Sequence, residues 1–294
     1  MGSPTVVLVA GGRSSARYWS DDLLNPDAPR SMVLPGVAES TRVCAYDRPG
    51  TYAEFDGEIV PSRSDAIAQP RTAPEMAEEL HALLQAAEVP GPYVLAGHSF
   101  GGFVAFEMAR QLRAAGEPVG LVALLDSVGV DWNHAELPFR DDWVAGELAR
   151  VLFYTVGDRH PGLAWDDLAA LPPAERVLRL VGSGEASEVA RPLAARLVAV
   201  MKANLEAMVR YRPGVVDADL HLFRAREQLD GVLTGQFTVS DAPDLGWGAH
   251  SGGAVHVHPV AGNHFSMMGE PHVRALAAAV SSVLDRLLPR EARA

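Results

Sequence analysis

Tyr93-Val94-Leu95-Ala96-Gly97-His98-Ser99-Phe100-Gly101-Gly102 joins a strand pattern to a helix pattern through a glycine-flanked serine. Its first four residues form an apolar run suited to a buried strand, and Phe103 to Ala114 carry apolar positions at helical spacing. Between them, Gly-His-Ser-Phe-Gly makes a turn too tight for side chains on either side of the serine, so Ser99 is expected on a strand-to-helix elbow. A serine hydroxyl is a poor nucleophile unless it is exposed, set beside a base and faced by N–H groups where negative charge develops. Gly97 and Gly101 lack the Cβ that would crowd such an elbow, and Phe100 opens a helix whose first N–H groups carry partial positive charge. A serine that merely capped the helix would leave the second glycine unexplained.

Outward on the N-terminal side, Thr5 to Val9 is β-branched and apolar and runs into the small-residue loop Ala10-Gly11-Gly12-Arg13-Ser14-Ser15. A buried strand entering a glycine loop is where such a sheet places a second oxyanion donor, with Gly12 the candidate and Arg13 the alternative. Arg42 to Tyr46 reads as another strand, closed by the turn cluster Asp47-Arg48-Pro49-Gly50-Thr51, in which Asp47 is expected to bond its own loop. Residues 52 to 71 look polar and irregular. Thr72-Ala73-Pro74-Glu75 then marks a helix start, with Met76, Leu80, Leu83 and Leu84 on one apolar face as far as Glu88. Beyond the elbow helix, Gly116 is expected to end it, and Val119 to Leu125 is a fully apolar strand leading into Asp126. This alternation implies a doubly wound, mostly parallel sheet, whose active site lies beyond the carboxyl ends of the strands. Ser99 and Asp126 both fall there.

The pattern changes after Gly129. Helical segments are expected around Trp143 to Phe153, Ala174 to Leu180 and Val189 to Tyr211, so the chain divides into a first core part (1–129), a helical lid insertion (130–213) and a second core part (214–294). Trp132, Trp143, Phe153, Tyr154, Trp165, Met201 and Met208 either pack the insertion or line an apolar channel. Strands return at Leu220 to Phe223 and Ala254 to Val260, and Val273, Leu276, Ala277, Val280, Leu284 and Leu287 stripe a closing helix. His256 and His258 share a strand face, but no third metal ligand stands at useful spacing.

A formal charge of −12 argues against nucleic acid and anionic membrane, both of which reward clustered Lys and Arg. The single cysteine, Cys44, excludes an intramolecular disulfide and a cysteine metal cluster, and its strand setting reads as a small buried hydrophobe. No basic leader and no membrane-length apolar run are visible, so a soluble, cytoplasmic protein is expected. Between a free-standing protein and an excised terminal domain, Met1 and the single-domain length lean towards the former.

A nucleophilic serine needs a base, and the base needs an anion to fix its tautomer. Of ten histidines, His264 sits in the loop directly after the last expected strand, whereas His98 is read as packing or loop support. The acid is either Asp126 or one of Asp230, Asp241 and Asp244, which follow the later strand. Gly-His-Ser-Phe-Gly-Gly-Phe-Val-Ala-Phe-Glu-Met-Ala, with Leu-Leu-Asp-Ser placing Asp126 27 positions after Ser99, resembles the α/β-hydrolase thioesterase domains of polyketide synthases and nonribosomal peptide synthetases. Asn204 to Pro213, Leu222 to Ala225 and Gly262 to Met268 continue the resemblance.

The resemblance implies Asp126 as the acid, beside Ser99, His264 and the N–H groups of Phe100 and Gly12. It also implies an acyl thioester delivered on the phosphopantetheine of an acyl or peptidyl carrier protein, and release by hydrolysis or cyclisation in natural-product biosynthesis. The opening residues up to Thr51 are closer to general hydrolase esterases. A small-molecule carboxylesterase or lactonase, and a binding protein or non-hydrolytic cyclase on the same fold, are therefore the rival readings.

Overall fold

The computed structural model describes residues 4–12, 15–20, 32–48, 51–55, 58–62, 71–129, 137–156, 162–181, 187–227 and 240–287. Six apolar runs become the strands of one sheet: β1 (Thr5–Val9), β2 (Arg42–Tyr46), β5 (Tyr93–His98), β6 (Val119–Leu125), β7 (Leu220–Ala225) and β8 (Val255–Val260), in spatial order β2-β1-β5-β6-β7-β8. Every pairing between neighbours in it is parallel. The remaining strands, β3 (Tyr52–Phe55) and β4 (Glu58–Pro61), make a separate antiparallel hairpin. That hairpin corrects the irregular reading of residues 52 to 71.

Continuous apolar strands are what a sheet buried on both faces requires. Val7, Val9, Leu95, Val122, Leu124 and Leu222 belong to one core, together with α2 (Ala73–Ala86) and α3 (Phe100–Ala114). Their alternates Val6, Leu8, Val94, Ala96, Ala123 and Leu125 belong to the other, with Trp19, the short helix α1 (Val33–Ala38) and α8 (Val273–Leu287). Between β6 and β7 come α4 (Asp141–Val156), α5 (Trp165–Ala169), α6 (Pro173–Val181) and α7 (Ser187–Arg210), whose Val144, Leu148, Val177 and Leu205 join the first core.

Thr72 caps α2 as its sequence dictates. Its hydroxyl accepts from the Glu75 N–H, and the Glu75 carboxylate accepts from the Thr72 N–H in return. The apolar face is narrower than expected, because Leu83 is 43% exposed, and the helix stops at Ala86 rather than Glu88, whose φ is +51°. Helices α1 and α5 were not expected. α1 holds Pro35 and Gly36, and α5 is five residues long, so neither displays a helical period.

The elbow is a matter of space. A Cβ on Gly97 would lie 2.1 Å from the Gly101 carbonyl oxygen, and one on Gly101 would lie 2.1 Å from that of Val9. Only glycine lets β5 turn into α3 this sharply while α3 rests on β1. Ser99 itself takes φ +53° and ψ −125°, a conformation that a non-glycine residue adopts only where its surroundings enforce it.

Candidate active site

Parallel strands deliver their carboxyl ends to one rim, and β5, β6 and β8 bring their following residues together there. The Ser99 N–H donates to the Leu125 carbonyl (3.1 Å), and the Ser127 hydroxyl donates to the Ser99 carbonyl (2.7 Å). The Ser99 turn is thereby locked to the end of β6. Asp126 follows at once, with φ +44° and its N–H on the Phe223 carbonyl (2.9 Å). Its Oδ1 accepts from the Ala225 N–H at 2.9 Å, and its Oδ2 lies 2.8 Å from Nδ1 of His264.

The loop that carries His264 is shaped by its neighbours. Asn263 Oδ1 accepts from the N–H groups of Phe265 (3.0 Å) and Ser266 (2.9 Å), and the Ser266 hydroxyl accepts from the Asn263 N–H (2.9 Å). His98 adds a brace from the elbow. Its ring centroid lies 4.6 Å from that of His264, and its Nε2 is 2.9 Å from the His264 carbonyl oxygen. A carbonyl only accepts, so His98 carries its proton on Nε2. His98 therefore supports the loop, as its position beside Ser99 led one to expect.

Burial alone would raise the Asp126 carboxyl. The hydrogen bond and charge of His264 and the Ala225 N–H outweigh it and hold the group below the ordinary aspartate value. An ionised Asp126 accepts the Nδ1 proton of His264, which leaves Nε2 as the ring's acceptor. The other acids are placed otherwise. Asp244 accepts from Gly246 and Gly248 in its own turn, Asp241 is exposed, and Asp230 lies outside the described residues.

The loop of Gly12 abuts the elbow. A Cβ on Gly11 would stand 3.4 Å from Ser99 Cβ, and one on Gly12 3.8 Å from Phe100 Cβ. Arg13, the alternative donor, lies outside the described residues. Asp47 reaches beyond its own turn: its Oδ1 accepts from the Ala16 N–H at 2.6 Å and so ties β2's end to the glycine loop's exit.

Met201 and Met208 are buried in the first core, and Trp143, Phe153 and Trp165 pack against it. Packing accounts for them. Tyr154 is exposed, and Trp132 lies outside the described residues. His256 and His258 are joined by His221 of β7, whose ring stacks on both at 4.7 and 5.3 Å. Among the described residues no group of three His, Cys, Asp or Glu side chains is arranged to hold a metal ion, and no helix is long and apolar enough to cross a membrane.

Sequence reasoning missed the Ser127 hydroxyl, the Arg48 guanidinium on the Ala10 and Gly11 carbonyls, and the Asn204 amide on the Gly12 carbonyl. Asn204 falls in a stretch that carried the family resemblance, so the residue was visible although its partner was not. Nothing local marks Arg48 as buried.

A parallel sheet in this order, with a strained serine between β5 and α3, is an α/β-hydrolase fold. The chain belongs to the thioesterase family, because the thioesterase domain model matches residues 45–284. A protein described as "Probable non-canonical nonribosomal peptide synthetase (NRPS) CymA", from Salinispora arenicola, is 30% identical over 274 residues, covering 85% of this chain and 3% of its own length. The atromentin synthetase InvA1 of Paxillus involutus is 26% identical over 274 residues, covering 85% of this chain and 26% of its own. The chain thus spans a small part of the curated relatives it matches.

Among solved structures, the RedJ thioesterase of the prodiginine pathway in Streptomyces coelicolor shares the fold with a TM-score of 0.59. It is 20% identical, over 95% of this chain and 85% of RedJ. The NocB thioesterase domain, in covalent complex with a fluorophosphonate nocardicin G analogue, has a TM-score of 0.55 at 21% identity, over 95% of this chain and 94% of that one.

Proposed function

We propose that the protein is a serine thioesterase that cleaves an acyl or peptidyl thioester from the phosphopantetheine arm of a carrier protein, in natural-product biosynthesis. The observation that carries this reading is the 2.8 Å contact of Asp126 with Nδ1 of His264, in a chain of the thioesterase family. Ser99 Oγ attacks the thioester carbonyl while His264 Nε2 takes its proton. The oxyanion faces the N–H groups of Phe100 and Gly12. Collapse breaks the C–S bond, and the proton passes from His264 to the departing pantetheine sulfur. Water, or a hydroxyl or amine of the acyl chain itself, then releases the acyl group from Ser99 by the same steps in reverse, so that no redox cofactor or metal is used.

In this reading the helices of residues 130–213 cover the acyl chain and control water, and the carrier protein is the partner, met in the cytoplasm. The relatives support it by context, since CymA is described as a probable nonribosomal peptide synthetase and a further relative, matched over 69% of this chain, is described as a non-reducing polyketide synthase of Cladonia metacorallifera. The test compares acyl-pantetheine thioesters with p-nitrophenyl esters. Thioester turnover that disappears in Ser99→Ala is the expected result. Fast turnover of short oxygen esters, with none of acyl-pantetheine, would overturn it.

That second outcome defines the rival, a carboxylesterase or lactonase on the same residues. It is favoured by one observation: the family match begins at residue 45, so β1 and the Gly12 loop lie outside it. A binding protein that has kept an idle elbow is separated by a fluorophosphonate probe, which labels Ser99 only if the hydroxyl is activated.

A further inference from the structure

The glycine loop beside the elbow is gripped from two sides. Arg48, only 2% exposed, donates from Nη1 to the Ala10 carbonyl (2.8 Å) and from Nη2 to the Gly11 carbonyl, and its guanidinium lies 5.0 Å from the centre of the Phe100 ring. From the opposite direction in the chain, Asn204 on α7 donates its amide to the Gly12 carbonyl. Burial lowers the Arg48 guanidinium to about 10, which still leaves it charged at neutral pH.

In a planar trans peptide the C=O and N–H point in opposite directions. Drawing the Ala10 and Gly11 carbonyls onto Arg48 therefore turns the N–H groups of Gly11 and Gly12 away from it. Glycine imposes little restraint of its own, so two consecutive glycine peptides would otherwise sample flipped orientations. Asn204 fixes the next peptide along by holding the carbonyl of Gly12.

We propose that Arg48 and Asn204 are positioning residues, forming a clamp that fixes the Gly12 N–H as an oxyanion donor and makes its orientation depend on the seat of α7. The inference rests on the catalytic reading above for its effect on rate, but the geometry of the clamp has its own readout. A preorganised donor acts because it need not reorient as charge develops, and losing one lowers turnover by about 10²- to 10³-fold.

The experiment uses the full chain and its Arg48→Met, Arg48→Lys and Asn204→Ala variants. It measures kcat and KM on an acyl-N-acetylcysteamine thioester, the melting temperature, and the Gly11 and Gly12 amide signals by ¹⁵N NMR. The expected result is a kcat loss of about 10²-fold in Arg48→Met and about tenfold in Asn204→Ala, with KM little changed. Arg48→Lys should recover part of the loss, and the Gly12 amide should shift in every variant. Because Arg48→Met leaves two buried carbonyls unbonded and could unfold, the Lys and Asn204 variants decide in that event. Folded variants with wild-type kcat and unmoved Gly12 amides would overturn the clamp. Amides that shift while even the wild-type chain turns over no thioester would keep the clamp and remove the catalytic reading instead.

Discussion

Asp126 Oδ2 and Nδ1 of His264 lie 2.8 Å apart although 138 residues separate them in the chain. The contact sets a tautomer. An asparagine at 126 would turn an NH₂ group towards Nδ1, move the ring proton to Nε2 and leave no lone pair there for the proton that the proposed mechanism takes from Ser99. Asp126→Asn should therefore fold normally and lose about 10⁴-fold in kcat. Circular dichroism with steady-state thioester kinetics checks both halves.

The elbow tolerates no side chain at Gly97. A methyl group there would meet the backbone of Gly101 and Gly102 at 2.1 to 2.5 Å, so Gly97→Ala should cost more than about 4 kcal/mol or prevent folding. Gly146, inside α4, has nothing within 4 Å of an added Cβ. Gly146→Ala should stabilise by about 1 kcal/mol, the ordinary helical difference between the two residues. Chemical denaturation of both variants makes the comparison.

Glu107 of α3 is 1% exposed, and Tyr211, just past α7, donates its hydroxyl to it at 2.7 Å. Burial alone would raise this carboxyl. Hydrogen bonds from Arg110, Tyr211 and Gln111 outweigh it and keep the group ionised, while burial and Glu107 raise the Tyr211 hydroxyl. Tyr211→Phe keeps the ring, edge-on to Phe103 at 6.0 Å, and removes only the bond to a charged acceptor. A loss of about 2 kcal/mol in unfolding free energy is expected.

Burial first, then the charges of His256, His258 and Arg286, lower His221 from 6.5 to about 4. Between those values the unfolded chain binds a proton that the folded chain refuses, so stability should fall as pH drops from 6.5 and the loss should be complete below about 4. Asp126 acts lower down. Its folded value lies below 3.8, so its contribution is intact above that pH and disappears as pH falls through the folded value. Urea unfolding at pH 7 and pH 4.5 should show a smaller difference in His221→Leu than in the wild-type chain.

What the sequence made legible follows from periodicity and from rules of space. Val6 to Val9 and Leu121 to Leu125 are apolar at every position because both sheet faces are covered, and Gly97 and Gly101 flank Ser99 because the elbow admits nothing larger. The hairpin at 52–61 was hidden because four-residue strands give an alternation too short to register. α1 was hidden by Pro35 and Gly36. Arg48 and Asn204 act on backbone carbonyls remote in sequence, and a contact of that kind leaves no local pattern.

In the proposed reaction the acyl group passes through the Ser99 hydroxyl. Intact-mass and peptide-mapping spectrometry, after a short exposure to an acyl-loaded carrier protein, tests it most directly. A mass increase equal to the acyl group, carried on the peptide containing Ser99 and absent from Ser99→Ala, is the expected result. Release of product with no adduct at any time, or an adduct on Cys44 that persists in Ser99→Ala, would contradict it.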